Sequence, residues 1–455
     1  ALENIHFPRS EVNLEKARYY LIFHEFFRLQ MMLVYCRSRT AVHPSPAEDA
    51  QVADVNAVDE FSALLPFAPT AGQRRVMADI VADIAAGRCV RRLVEGEVGS
   101  GKTVVAVFLL WLFARRGYQG VFLSPTGILA EQHFLNWHEF FVRQGLSADL
   151  VVGEMSGQER AALSARVASG DTKVLIGTHA LLSDWIDIPR LKVVIVDEQH
   201  KFGVRQREEL HRKGTAVHSL IMSATPIPRS LALTFYGSLD ISTIGEVPAG
   251  KRCVTTYLLP YDEMERVYAF LEDQITACKR GFVVAPAIAG SRDDTVSAEE
   301  EYASIRSRLP GAPIALIHGR MPREQKDQIM EDFRSGRVLL LVATTIVESG
   351  IDVPEASYVV VIGAERYGLA QLHQLRGRVG RKGEPGYCFL LSRSSDATIL
   401  QRLERFAAAE SGAEIAEMDL KIRGPGELLG TRQHGIVPLR IGDIVADIKT
   451  LDLAR

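Results

Sequence analysis

Gly368 to Gly383 reads GLAQLHQLRGRVGRKG and sets three guanidinium groups, Arg376, Arg378 and Arg381, among glycines. A planar, permanently charged fork of this kind can meet the negative charge that builds on a transferring phosphoryl group. The bland alternative is a solvated basic turn. Gly377 and Gly380 weigh against it, because they strip side chains from the places where a ligand would approach. A second signature lies far upstream: Gly96-Glu-Val-Gly-Ser-Gly101-Lys102-Thr103 fits G-x-x-x-x-G-K-[ST] between a short strand and the apolar run Val104–Phe113. In that strand–loop–helix setting the backbone around Gly96, Gly99, Ser100 and Gly101 can turn its N–H groups onto phosphate oxygens, helped by the positive end of the helix. Lys102 is expected to hold the β- and γ-phosphates and Thr103 to ligate Mg²⁺, which makes ATP and Mg²⁺ the expected cofactors.

A third element, VVIVDEQH (Val193 to His200), ends a buried strand in two carboxylates. Asp197 is expected to hold Mg²⁺, directly or through water, and Glu198 to polarise the attacking water. A helix cap is the bland reading of such a pair, and the phosphate loop upstream argues against it. Ser223-Ala-Thr225-Pro-Ile-Pro-Arg229 closes the next strand and can sense the same site through its hydroxyls. Ahead of the loop, Phe67 and Gln73 offer a ring to stack on adenine and an amide to pair with its edge.

The elements that must position these groups alternate in type. Candidate strands are Arg92–Glu95, Gly120–Ser124, Lys173–Gly177, Lys192–Asp197 and Ser219–Ser223, then Arg252–Leu259, Gly281–Ala285, Pro313–His318, Val338–Ala343, Tyr358–Ile362 and Gly386–Leu391. Short β-branched runs separated by helices mean doubly wound, parallel α/β sheets, with ligands at the carboxyl ends of the strands. There are two series, with a break near Gly245–Gly250. Residues 11–39 keep an apolar face at helical spacing and read as one long helix. The polar stretch from Thr40 to Val58, with Pro44 and Pro46, reads as a loop or linker.

Bulk composition agrees with a folded multidomain protein. The chain has 455 residues, 47% of them hydrophobic, and a formal charge of −3, which excludes a wholly basic nucleic-acid coat but leaves room for local basic grooves. Five scattered cysteines without CxxC spacing point to a reducing compartment and no zinc site. The longest apolar run, Val104 to Ala114, falls short of the roughly 20 residues a membrane span needs. The start at Ala1, without an initiator Met, reads as a fragment of something longer.

With these pieces in order, the chain resembles a superfamily 2 helicase, and closely the RecG branch of bacterial DNA translocases. The resemblance runs through LPFAPTAGQ (65–73), GEVGSGKT (96–103), SPTGILAEQH (124–133), GTHALL (177–182), DEQHKFGVRQR (197–207), SATPIPR (223–229), HGRM (318–321), ATTIVESGIDVPEA (343–356), GLAQLHQLRGRVGRKG (368–383) and RGPGELLGTRQHG (423–435). It implies two RecA-like domains in tandem: a helical linker over 1–58, helicase domains over 59–247 and 248–393, and a translocation segment over 394–455, a helical hairpin around Gly412 followed by a loop. It assigns Phe67 and Gln73 to adenine, Lys102 and Thr103 to phosphate and Mg²⁺, and Asp197 and Glu198 to Mg²⁺ and water. Arg378 and Arg381, with Gln374 beside them, become the arginines supplied by the second lobe. His200 would couple nucleotide to DNA. Thr126, Thr178, His179 and Thr344 match segments that touch the sugar–phosphate backbone, and Arg402, Arg423 and Gln433 match residues linking the hairpin to the ATPase lobes.

The implied activity is ATP-driven translocation on double-stranded DNA that remodels stalled forks and Holliday junctions, by a monomer in the bacterial cytoplasm at the nucleoid. Branched DNA is the implied partner, single-stranded DNA-binding protein a further one, and membrane none. Two departures stand out: Gly127 replaces the usual Glu of PTEILA, and Lys201 the usual Arg after DEQH. The oligonucleotide-binding wedge domain that the resemblance places before residue 1 is expected to be missing, and the tail to stop early. A transcription-repair coupling factor typically carries DEEH and LYQLRGR, where this chain has Gln199 and His373. A nucleic-acid-binding module with a dead ATP site conflicts with the intact Lys102, Thr103, Asp197, Glu198, Arg378 and Arg381.

Overall fold

The computed structural model describes residues 1–40, 46–153, 155–197, 217–223, 239–246, 254–285, 298–344, 356–380, 385–423, 439–443 and 446–454. The chain forms two compact units, Ala1–Gly96 with Gly101–Glu246 and Ala416–Arg455, and Glu97–Ser100 with Val247–Ile415. The break thus falls between Glu246 and Val247, and the segment from residue 394 onward is shared between the units.

The first unit is built on seven parallel strands: β1 (Arg91–Gly96), β2 (Gln119–Leu123), β3 (Ala148–Val151), β4 (Val174–Gly177), β5 (Leu191–Asp197), β6 (His218–Ser223) and β7 (Asp240–Ile244), in the order β3-β4-β2-β5-β6-β1-β7. The central strands are almost entirely buried, as expected where helices cover both faces of a parallel sheet. The helix Lys102–Ala114 shows why: every residue from Val104 to Ala114 is buried, so it is apolar all round and lies inside the domain. β3 and β7 are strands that the sequence pattern does not predict. They are the two edges of the sheet, and their half-exposed patterns carry no continuous apolar run. The close spacing of β3 and β4 depends on Gly177, since a Cβ there would run into the Val151 carbonyl.

The second unit carries six parallel strands: β8 (Val254–Pro260), β9 (Arg280–Val284), β10 (Ile314–Ile317), β11 (Leu340–Ala343), β12 (Ala356–Ile362) and β13 (Gly386–Ser392), ordered β10-β11-β9-β12-β13-β8. Its core gathers Val283, Leu340, Val342, Tyr358, Val360 and Leu391. Where a hairpin is expected around Gly412, two helices follow one another in sequence, Ala397–Ala408 and Gly412–Arg423. Asp396 starts the first by accepting the Thr398 N–H at 2.7 Å.

The stretch read as a loop, Thr40–Val58, differs from expectation. It includes a helix at Ala47–Ala50 and the start of another, Ala57–Leu64. Tertiary packing overrides its polar composition: Asp49 is completely buried, its carboxylate 3.1 Å from Lys192 Nζ of β5 and 3.3 Å from His218 Nε2 of β6. His218 Nδ1 accepts the Val90 N–H at 3.1 Å, which leaves Nε2 as the donor to Asp49.

The long helix Glu11–Thr40 meets the C-terminal helix Ile448–Leu453 through Ile22, Phe26, Leu451 and Ala454. Glu25 joins them by accepting the backbone N–H groups of Arg440, Ile441 and Gly442 at 2.6, 3.1 and 2.8 Å. Desolvation pushes the Glu25 carboxyl upward, but these three donors outweigh it and hold its pKa below the ordinary value. A depressed carboxyl pKa gives stability that is present above the unfolded value, about 4.3, and is lost as pH falls through the lower folded value. Hydrogen exchange at residues 440–442 is therefore expected to lose its protection in acid, whereas Glu25→Gln exchanges faster already at neutral pH.

Candidate active site

All strands of the first sheet are parallel, so their carboxyl ends share one edge. β1 delivers the phosphate loop there and β5 delivers Asp197. β6 lies between them, in the registers Glu95↔Ser223 and Asp197↔Met222. Two strand spacings, roughly 10 Å, thus separate the ends of β1 and β5. Gly99 and Gly101 take positive φ, 81° and 76°, which bends the loop into the helix that opens at Lys102. Lys102 is largely buried, and its Nζ donates to the Gly96 carbonyl at 2.8 Å, so the ammonium stays within the loop. Ser100 is fully buried and Thr103 half-buried at the helix start.

The fold implies ATP with Mg²⁺, and this donor set fits both. A glycine turn leads into a helix N-terminus, an ammonium sits inside that turn, and a partly buried carboxylate ends the next strand but one. Lys102 and the loop would hold phosphate, and Thr103 and Asp197 would hold Mg²⁺. Among the described residues no cluster of three or more His, Cys, Asp or Glu stands ready as a metal site.

Gln73, read in the sequence as pairing with adenine, packs against the phosphate loop. Its side chain is buried, its Oε1 accepts the Thr70 N–H at 2.9 Å, and its Nε2 donates to the Gly101 carbonyl at 3.4 Å. Thr70 and Gln73 form a capping box on the helix Ala71–Ala85, and the Gln73 amide reaches the phosphate loop at Gly101. The pattern T-x-x-Q carries that signal in the sequence. Phe67 is exposed.

Thr126 and Thr178 also act as N-caps. Thr126 Oγ1 accepts the Leu129 N–H at 3.4 Å at the head of Gly127–Arg143, and Thr178 Oγ1 accepts the Ala180 N–H at 3.5 Å. His179 beside it is exposed, and Thr344, just after β11, is buried. Sequence reasoning misses His133, whose Nε2 lies 3.2 Å from Asp197 Oδ2.

In the second unit Arg376 and Arg378 differ in burial. Arg376 ends the helix Leu369–Arg376 and is buried. Its Nη1 donates to the carbonyls of Phe406 and Ala409 at 3.2 and 3.0 Å, and its guanidinium lies 4.7 Å from the Phe406 ring centroid. It therefore latches the C-terminal end of the first hairpin helix. Arg402 latches the same helix earlier, donating to the Glu365 carbonyl at 2.8 Å. Gln374 is buried on the helix and Arg378 half-buried just beyond it. Gly380, at φ 68°, answers to packing: an added Cβ would lie 2.9 Å from Val254 Cγ2 and 3.2 Å from the Gly386 backbone. Glu198, His200, Arg381 and Gln433 lie outside the described residues, as does the Arg423 side chain. Arg376→Lys keeps the charge but loses the fork and the stacking. It is expected to weaken the latch by about 1.5–3 kcal/mol, seen as faster hydrogen exchange in Ala397–Ala408.

Three family models match in sequence: DEAD/DEAH box helicase over residues 70–234, helicase conserved C-terminal domain over 271–383, and ATP-dependent DNA helicase RecG, domain 3, C-terminal, over 409–455. The ATP-dependent DNA helicase RecG of Bacillus subtilis is 37% identical over all of this chain, which covers 67% of that protein. The chain belongs to the RecG family of ATP-dependent DNA helicases. RecG of Thermotoga maritima is 41% identical, and there the chain spans 58% of the relative's length. A structure of RecG bound to a three-way DNA junction superposes with a TM-score of 0.74 at 39% identity, covering 99% of this chain and 59% of that one. The two parallel sheets are thus the RecA-like pair of a RecG helicase. No described helix is long and apolar enough to cross a membrane.

Proposed function

We propose that this chain hydrolyses ATP and uses the cycle to move along double-stranded DNA, remodelling branched structures such as stalled forks and Holliday junctions. The observation that carries the reading is the order of modules on one chain: two helicase domains followed by the RecG segment at 409–455, with similarity along the whole of this chain to part of the RecG proteins and of a RecG bound to a three-way junction. The latches from Arg376 and Arg402 support it, because they hold the helix Ala397–Ala408 against the arginine-bearing helix and the Glu365 turn of the second unit.

In this reading Lys102 and the loop of Gly96–Thr103 grip the phosphates, and Gln73 holds the loop through Gly101. Mg²⁺, held by Thr103 and Asp197, supplies charge neutralisation at the phosphates. Glu198 accepts the proton of the attacking water. Arg378 and Arg381, oriented by Gln374, stabilise the transferring phosphoryl group. Thr126, Thr178, His179 and Thr344 face the sugar–phosphate backbone, where hydroxyls and backbone N–H groups suffice. His200, Arg423 and Gln433 relay the nucleotide state to the hairpin. The protein works as a monomer at the nucleoid, in the cytoplasm of a bacterium, with single-stranded DNA-binding protein as a second partner.

The test is displacement of a third strand from a triplex placed on duplex DNA. ATP-dependent displacement supports the reading. ATP hydrolysis without displacement on any duplex length contradicts it.

A further inference from the structure

The helix Gly127–Arg143 touches two places to which the proposed function gives different jobs. Its N-cap is Thr126, on the strip read as facing DNA. Seven residues on, two turns later on the same face, His133 points at the nucleotide edge of the sheet. Its Nε2 lies 3.2 Å from Asp197 Oδ2, and both side chains are mostly buried, at 14% and 15% exposure. The imidazole is fixed from its other side by Phe122 of β2, with ring centroids 4.6 Å apart. A carboxylate can only accept, so the Nε2–H donates to Asp197. β2 and β5 are neighbours in the sheet, so the histidine's support and its target rest on one rigid platform.

We infer that His133 is a positioning residue: its hydrogen bond sets the Asp197 carboxylate for Mg²⁺, and its helix carries DNA contact at Thr126 to that carboxylate. The inference rests on the reading of Asp197 as a Mg²⁺ ligand and of Thr126 as DNA-facing. Groups that orient a ligating carboxylate typically change metal affinity 10–100-fold when removed. A helix that touches both sites offers one rigid element whose small displacement both ligands can bias.

The experiment compares wild type with His133→Phe, which keeps a ring against Phe122 but removes the donor, and His133→Gln, which restores an N–H donor. Three quantities are read: the Mg²⁺ concentration giving half-maximal binding of a fluorescent ADP, the ratio of ATPase rates with and without duplex DNA, and the Kd for duplex DNA. For His133→Phe the Mg²⁺ midpoint is expected to rise about tenfold and the stimulation ratio to fall toward one, with DNA affinity retained. His133→Gln is expected to recover most of both. A wild-type Mg²⁺ midpoint and stimulation ratio in His133→Phe would overturn the inference. So would equal losses in both variants accompanied by a lowered Tm, which would mean that the ring only packs. If wild type itself hydrolyses no ATP, the proposed function fails, while the Mg²⁺ dependence of ADP binding still decides the part played by His133.

Discussion

Replacing Arg378 or Arg381 by alanine is expected to lower the DNA-stimulated ATPase rate by roughly 10³–10⁵ while sparing nucleotide binding. The size follows from when the charge is needed. A guanidinium that meets charge developing on the transferring phosphoryl group stabilises the transition state more than the bound nucleotide, so its loss appears in kcat and little in Kd. Arg376 makes the contrast. It stands in the same stretch but already has two carbonyl partners and a ring in the second unit, so its removal loosens the hairpin instead of the chemistry. Steady-state ATPase assays paired with fluorescent-ADP binding separate the two classes. A variant of Arg378 or Arg381 that lost ADP binding as steeply as turnover would contradict the assignment.

Asp49→Ala carries the second large expected effect, this time on stability. Asp49 is fully buried between Lys192 and His218, and Lys192 is itself mostly buried. Removing the carboxylate leaves a buried ammonium without its counter-charge and takes away the acceptor of His218. Breaking a buried pair from one side costs about 3–5 kcal/mol, a large fraction of a domain's stability. Denaturant melts followed by Trp111, Trp137 and Trp185, all in the first unit, should show the midpoint fall. The site lies at the amino ends of β5 and β6, opposite the edge that carries Lys102 and Asp197, so ADP affinity well below the unfolding midpoint should hardly change.

These two predictions also mark what is legible in the sequence. The central strands are, because burial on both faces writes continuous β-branched runs such as Val193–Val196. The edges β3 and β7 are not, since a half-exposed strand such as Asp240–Ile244 mixes Asp, Ser and Thr with its two isoleucines. The phosphate loop is legible because its glycines serve a local backbone turn that hardly depends on the rest of the fold. Asp49 is not, because its meaning comes from Lys192 and His218, more than 140 residues away. His133 is hidden for the same reason, its partner being 64 residues downstream. Gln73 is visible as a polar group near the loop, but its capping role emerges only when Thr70-x-x-Gln73 is read as a pair. Gly380 stands out for the right reason, the absence of a side chain, but the beneficiary is not a ligand: the space is taken by Val254 and Gly386.

The central claim is that hydrolysis at the Lys102–Asp197 edge is coupled to duplex DNA. Its most direct test measures ATPase rates of the 455-residue chain without DNA and on single-stranded, duplex and forked DNA, with Arg381→Ala as the control. Stimulation by duplex and forked DNA is expected to be well above that by single strands, and to be abolished in Arg381→Ala. Equal rates with and without DNA, or a wild-type rate in Arg381→Ala, would contradict it.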